Sequence, residues 1–288
     1  MAIEELSKKG NMNSCWWCGS TELTGEHKFK RKDLERLYGK GIDFNKLEVS
    51  LIDYRSEKPP KKLQSAKSIH AQFEKSLCSQ CNNAKSQPFD LAYDRIIEYY
   101  LKNEELIKSK KLIDFSNVYG ENWKEEKENL LRYIMKHIGC RLSELGFTPF
   151  QSTIDYLNGI TQHKHLKLII QIKPYDAFVQ TLYKGPLIPI SHKLNRKKIT
   201  AVCGWFTVKN ISFNYIYEWN VMDSYLDISK KRSIEIVDYS ALQNKSFSLN
   251  VQTLSTDFGR LIETLEFYPF RANQDEIKIY NYFRDKEV

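Results

Sequence analysis

Two rhythms divide the chain. In PFDLAYDRIIEYYLKNEELI (88–107), Phe89, Ala92, Ile96, Ile97, Tyr100 and Leu101 recur at three- and four-residue intervals, the spacing of one helix face. Pro88 suits the first turn of such a helix, where its missing N–H costs nothing. Trp123, Leu130, Leu131, Ile134, Ile138, Leu142 and Leu145 repeat the pattern and predict a second helix over 121–146. Beyond Asn158-Gly159 the texture changes to β-branched and aromatic runs at 166–172, 199–208, 212–219 and 232–239. These predict strands of a largely antiparallel sheet, with one late helix around 254–266. Before residue 88 the apolar runs are short. Residues 1–14 read as a leader without structure, and the paired prolines of SEKPPKK (56–62) mark a loop.

The expected class is therefore α+β in three parts. Residues 1–90 are expected to form a small module held by metal rather than by a core, 91–158 a helical region and 159–288 an α+β domain. A mean hydropathy of −0.53, and no apolar run near the roughly 18 residues of a spanning helix, argue against a membrane protein. The first residues, MAIEELSKKGN, lack the apolar stretch of a secretory signal. The expected address is the cytoplasm, where thiols stay reduced.

That address changes the meaning of the cysteines. Cys15 and Cys18 stand in CWWC, and Cys78 and Cys81 repeat the spacing in CSQC. One such pair could serve a disulfide, a redox motif or half a metal site. Two pairs in a reducing compartment fit one tetrahedral Zn²⁺, and four protein ligands leave no open position, so the expected zinc is structural. Cys140 and Cys203 stand alone in apolar segments and read as core residues. Trp16 and Trp17 are expected to pack beside the zinc.

Other residues near the pairs carry the candidate chemistry. Glu26-His27 follows the first pair, and Asn82 directly follows Cys81. If a helix opens at the second pair, Asn82 and Ser86 share a face with Lys85 beside them. A carboxylate and an amide oxygen are hard donors suited to Mg²⁺ or Mn²⁺, and a histidine beside them can take a proton from water. In the order CWWC, GEH, CSQCN, residues 15–90 resemble the zinc-bearing branch of the HNH endonucleases, which includes phage junction-resolving enzymes. CNNAKSQPFDLAYDRI and YIMKHIGCRL also look like a subgroup of bacterial HNH proteins. The resemblance implies a ββα-metal module in which His27 is the general base, Glu26 and Asn82 hold the catalytic Mg²⁺ or Mn²⁺, and the four cysteines hold zinc. Glu26 stands where the family more often has Asp. His27 and Cys78 are fifty-one positions apart, longer than the usual hairpin, which implies an insertion. The family's middle Asn has no assigned match, although Asn45 lies in the interval.

The expected function is metal-dependent hydrolysis of DNA phosphodiesters, on duplex or branched DNA. The alternatives are a non-catalytic zinc-stabilised nucleic-acid-binding module, and a nuclease effector controlled by a C-terminal sensor. The net charge of +8 is compatible with a polyanion, and residues 28–67 hold twelve Lys/Arg against six Asp/Glu. Arg31, Lys32, Lys85 and Ser86 are the expected phosphate contacts. His70 reads as a partly exposed strand residue, His163 and His165 as a solvated edge, and NRKK (195–198) as a charged turn. The C-terminal half is the expected seat of a homodimer contact or a regulatory partner.

Overall fold

The structure is a computed structural model that describes residues 13–41, 44, 50–51, 61–65, 67–161, 166–172, 182–184, 188–192, 195–218 and 231–238. The chain divides into two units, Met1–Ile52 with Pro59–Tyr239, and Asp53–Lys58 with Ser240–Val288. The second unit, with the helix expected at 254–266, lies outside the described residues, as do Asn45, His163 and His165.

Within the first unit the fold is mixed α+β. A short ribbon pairs β1 (Leu23–Thr24) with β4 (Leu77–Cys78), and between them lie α1 (Arg31–Tyr38), β2 (Ser50–Leu51) and β3 (Lys61–Lys62). A π-helical turn, Gln80–Lys85, leads into α2 (Gln87–Lys102). Then follow α3 (Glu104–Lys110), β5 (Leu112–Asp114), α4 (Phe115–Tyr119), α5 (Trp123–Glu144) and α6 (Gln151–Leu157). The later strands are β6 (Leu166–Ile172), β7 (Leu182–Lys184), β8 (Ile188–His192), β9 (Asn195–Val208), β10 (Ile211–Glu218) and β11 (Ser233–Asp238). Among the described residues the main sheet runs β5-β11-β6-β10-β9-β7, with β8 also paired to β9. Its pairs are antiparallel except β11 with β6, which is parallel.

The alternation of β10 decides how helices meet sheet. Phe213, Tyr215 and Tyr217 share one face: Phe213 and Phe206 stack at 4.9 Å, and both reach Tyr93 of α2. Arg141 of α5 donates to the Tyr215 hydroxyl at 3.1 Å, and Phe150 meets Tyr217 edge-on. Ser212 and Asn214 point the other way, toward Thr207 and Gln171. Helices α2 and α5 are joined by Tyr93 stacked on Tyr133 at 4.2 Å.

Some expectations change. The helix expected over 88–107 breaks at Asn103, whose side chain donates to the Tyr99 carbonyl at 2.8 Å while its backbone leaves the helical region. Strand β9 begins at Asn195, so NRKK lies in a strand and not in a turn. The helical middle contributes β5 to the sheet. His70 sits exposed in a 3₁₀ turn, Ile69–Ala71, not in a strand. The N-terminal segment also has a core of its own kind: Cys15, Trp16, Trp17, Phe73, Leu77, Cys78 and Cys81 are buried in the same cluster as Phe89, Ile134, Ile138 and Phe213. Cys140 and Cys203 are core residues, as expected.

Candidate functional site

The site begins with the four cysteines. The Cys15 amide donates to the Ser20 carbonyl at 2.6 Å and the Gly19 amide to the Cys15 carbonyl at 2.8 Å, closing a tight loop in which Gly19 takes φ +82°. The Trp16 amide reaches the Ser76 carbonyl at 3.1 Å and ties this loop to the second pair. All four Sγ atoms lie within 4.8 Å of one another, with Cys18 and Cys78 at 3.4 Å. Zn–S bonds of about 2.3 Å in a tetrahedron require Sγ separations of roughly 3.8 Å, so the set fits a metal such as zinc. Cys18 is exposed and the other three are buried. Burial pushes the Cys15 and Cys81 thiols up; at Cys78 the Cys81 amide and the neighbouring thiols outweigh burial and bring it down to about 7. A bound cation is what would allow all four to be thiolates together.

The ribbon and the following turn carry the other candidates. After Thr24↔Leu77 the pairing resumes at His27↔Gln72, with the Phe73 amide on the Glu26 carbonyl at 2.7 Å and the Lys28 amide on the Ala71 carbonyl at 2.7 Å. The Asn82 Nδ2 donates to Thr24 Oγ1 and to the Gly25 carbonyl, each at 3.2 Å. Asn82 is thereby fixed beside the end of β1, just before Glu26 and His27. Its Oδ1 and the His27 Nε2 are both buried without a hydrogen-bond partner among the described residues, as are Trp16 Nε1 and Ser76 Oγ nearby. A buried polar atom without a protein partner is one that a water, an ion or a ligand can satisfy.

Glu26 is buried and faces α5. Lys136 Nζ lies 3.3 Å from Glu26 Oε1, and His137 Nε2 lies 3.7 Å from the same oxygen. Lys136 is fully buried; its Nζ also donates to Ser86 Oγ at 3.2 Å and to Asp90 Oδ2 at 3.2 Å. Burial would pull the Lys136 pKa down, but the charges of Glu26 and Asp90 prevail and hold it above its usual value. Burial, then the Lys136 charge, lower the pKa of His27.

The expected phosphate contacts scatter. Ser86 is fully buried and donates to the Asn82 carbonyl at 2.8 Å, so it braces the turn from inside. Lys85 is exposed, its Nζ 5.7 Å from the Trp17 ring centroid. Arg31 pairs with Glu35 at 2.6 Å, and Lys32 with Glu98 at 2.7 Å. Lys28 pairs with Glu144, and Lys30 with Asp94 at 3.0 Å. The basic residues of 28–32 are thus met by carboxylates of the same fold. Lys136, His137 and Asp90 are participants that the sequence reading did not single out. For Asp90 a signal was present, since it follows Ser86 and Asn82 at four-residue steps; Lys136 and His137 are two polar residues among several on α5 and carry none.

Comparison with known proteins returns no match: no protein-family model, no curated protein and no solved structure corresponds to the chain. Among the described residues, no helix is long and apolar enough to cross a membrane.

Proposed function

We propose that the chain is a metal-dependent DNA phosphodiesterase of the HNH kind, with the four cysteines holding a structural zinc. The observation that carries this reading is that the Asn82 side chain bonds to Thr24 and Gly25, the residues immediately before Glu26 and His27. Each of His27 and Asn82 keeps one buried polar atom without a partner among the described residues. The order of elements, ribbon then helix with a cysteine pair at the start of each part, supports a ββα arrangement. In the reaction, an imidazole nitrogen of His27 accepts a proton from water as the water oxygen bonds to phosphorus and the bond to the 3′-oxygen breaks, and the departing oxygen takes a proton from solvent. The products are a 5′-phosphate and a 3′-hydroxyl. The Thr24 hydroxyl and the Gly25 carbonyl fix the Asn82 amide so that its oxygen is the atom left for a ligand. A divalent cation on Asn82 and Glu26 would supply neutralisation of the charge on the leaving oxygen.

The pairing of Glu26 with Lys136 favours a second reading, a zinc-stabilised nucleic-acid-binding module without catalysis, in which Glu26 serves only to dock α5. A plasmid-nicking assay with Mg²⁺, Mn²⁺ or EDTA separates the two. The nuclease reading expects metal-dependent nicking that His27→Ala abolishes while DNA affinity is kept. DNA binding without nicking, or nicking indifferent to both metal and His27, contradicts it.

A further inference from the structure

Resting on the nuclease reading of the same corner, we infer that Lys136 is a resident counter-cation that competes with a divalent ion for Glu26, so that α5 sets the metal affinity of the site. Lys136 is 0% exposed, and its Nζ has Glu26 Oε1 at 3.3 Å, Asp90 Oδ2 at 3.2 Å and Ser86 Oγ at 3.2 Å. Three oxygens for three N–H donors leave the ammonium fully satisfied. Across Asp90 stands a second ammonium, Lys30, with its Nζ 3.6 Å from Asp90 Oδ1 and donating to the Asp90 carbonyl at 2.8 Å. Lys136 thus bridges Glu26 and Asp90 before any metal arrives, while Lys30 is shared between Asp90 and, at 3.0 Å, Asp94. A divalent ion at Glu26 meets a fully buried ammonium already within ion-pair range of the same carboxylate. His137, next along α5, approaches that oxygen at 3.7 Å as well. The donor set is therefore mixed. Asn82 offers a prepared oxygen, whereas Glu26 offers one that α5 already holds.

A purely structural tie and a competing cation have opposite consequences for metal binding. If Lys136 only braces the corner, removing it loosens Glu26 and weakens the metal. If it competes, removing its charge strengthens the metal. Mn²⁺ binding to the zinc-loaded protein, followed by electron paramagnetic resonance, gives a readout independent of cleavage. Lys136→Met should bind Mn²⁺ about tenfold or more tightly than the native chain, because one opposing charge is gone. Lys136→Arg, which keeps the charge, should stay near the native affinity, and Glu26→Gln in the Met background should erase the gain. If Lys136→Met does not fold, adding Asp90→Asn restores the balance of charge and the same comparison is made there. An affinity that is unchanged or weaker in the Met variant overturns the inference. So does a gain that survives Glu26→Gln, or an absence of Mn²⁺ binding in every variant. The nuclease reading fails on a different measurement: nicking that is absent, or indifferent to His27, while the Mn²⁺ comparison can still come out either way.

Discussion

At position 139 the absence of a side chain has a visible purpose. A Cβ there would lie 2.5 Å from the Trp16 Cη2 atom, so Gly139 of α5 is the surface on which the first cysteine loop rests. Alanine normally improves a helix over glycine by about 0.5–1 kcal/mol. Here the Trp16 ring is buried beside the cysteines, and overpacking of about 1–3 kcal/mol should prevail. Gly139→Ala is therefore expected to lower the denaturation midpoint; a raised midpoint would mean that the ring moves aside freely. Residue chemistry was legible in the sequence where spacing is local. The two cysteine pairs, each two residues apart, announce a common four-cysteine site without any coordinates. Lys136 was not legible as a member of the Glu26 corner, because its link to Glu26 spans the distance between a ribbon and a helix that only tertiary packing brings together.

Among the elements, the break between α2 and α3 does the most positioning. Because Asn103 leaves the helix, Glu104 starts a new one and turns toward the β9–β10 connection, where it receives Lys209 Nζ at 2.6 Å and Asn210 Nδ2 at 2.8 Å. Burial pushes the Glu104 carboxyl up, but Lys108, Lys209 and Asn210 together bring it from 4.5 down to about 2. A carboxylate depressed in the folded state adds stability above its unfolded pKa and loses it as the pH falls toward the folded one. Discounted for solvent screening, Glu104→Gln should cost about 1 kcal/mol at neutral pH. In urea titrations the gap between native and variant should close as the pH falls from about 4.5 toward about 2. A gap independent of pH would show that the contact is steric. The long runs of β-branched and aromatic residues announced their strands, since such runs fit a half-buried pleated surface. β5 was invisible at three residues, and Asn103 is a helix stop that the apolar rhythm on either side concealed.

Across the described molecule, one core runs from the cysteine loops through α2 and α5 to the sheet. Sequence reading assigned the first ninety residues to metal alone, because their apolar residues are few and far apart; it could not see that Trp16, Trp17, Phe73 and Leu77 bury against helices contributed later in the chain. Zinc removal should then loosen the corner without unfolding the rest. Hydrogen exchange after chelation is expected to lose protection at 15–28 and 71–86, while β10 and the middle of α5 stay protected. Loss of protection throughout would mean that the metal holds the whole unit. The central claim, that this corner hydrolyses DNA, is tested most directly by supercoiled-plasmid nicking with Mn²⁺ on native protein and His27→Ala, both zinc-loaded and matched for DNA affinity. The account predicts nicking by the native protein, its loss in EDTA, and a fall of at least about a hundredfold in His27→Ala. Equal rates for the two proteins, or no nicking by either, would contradict it.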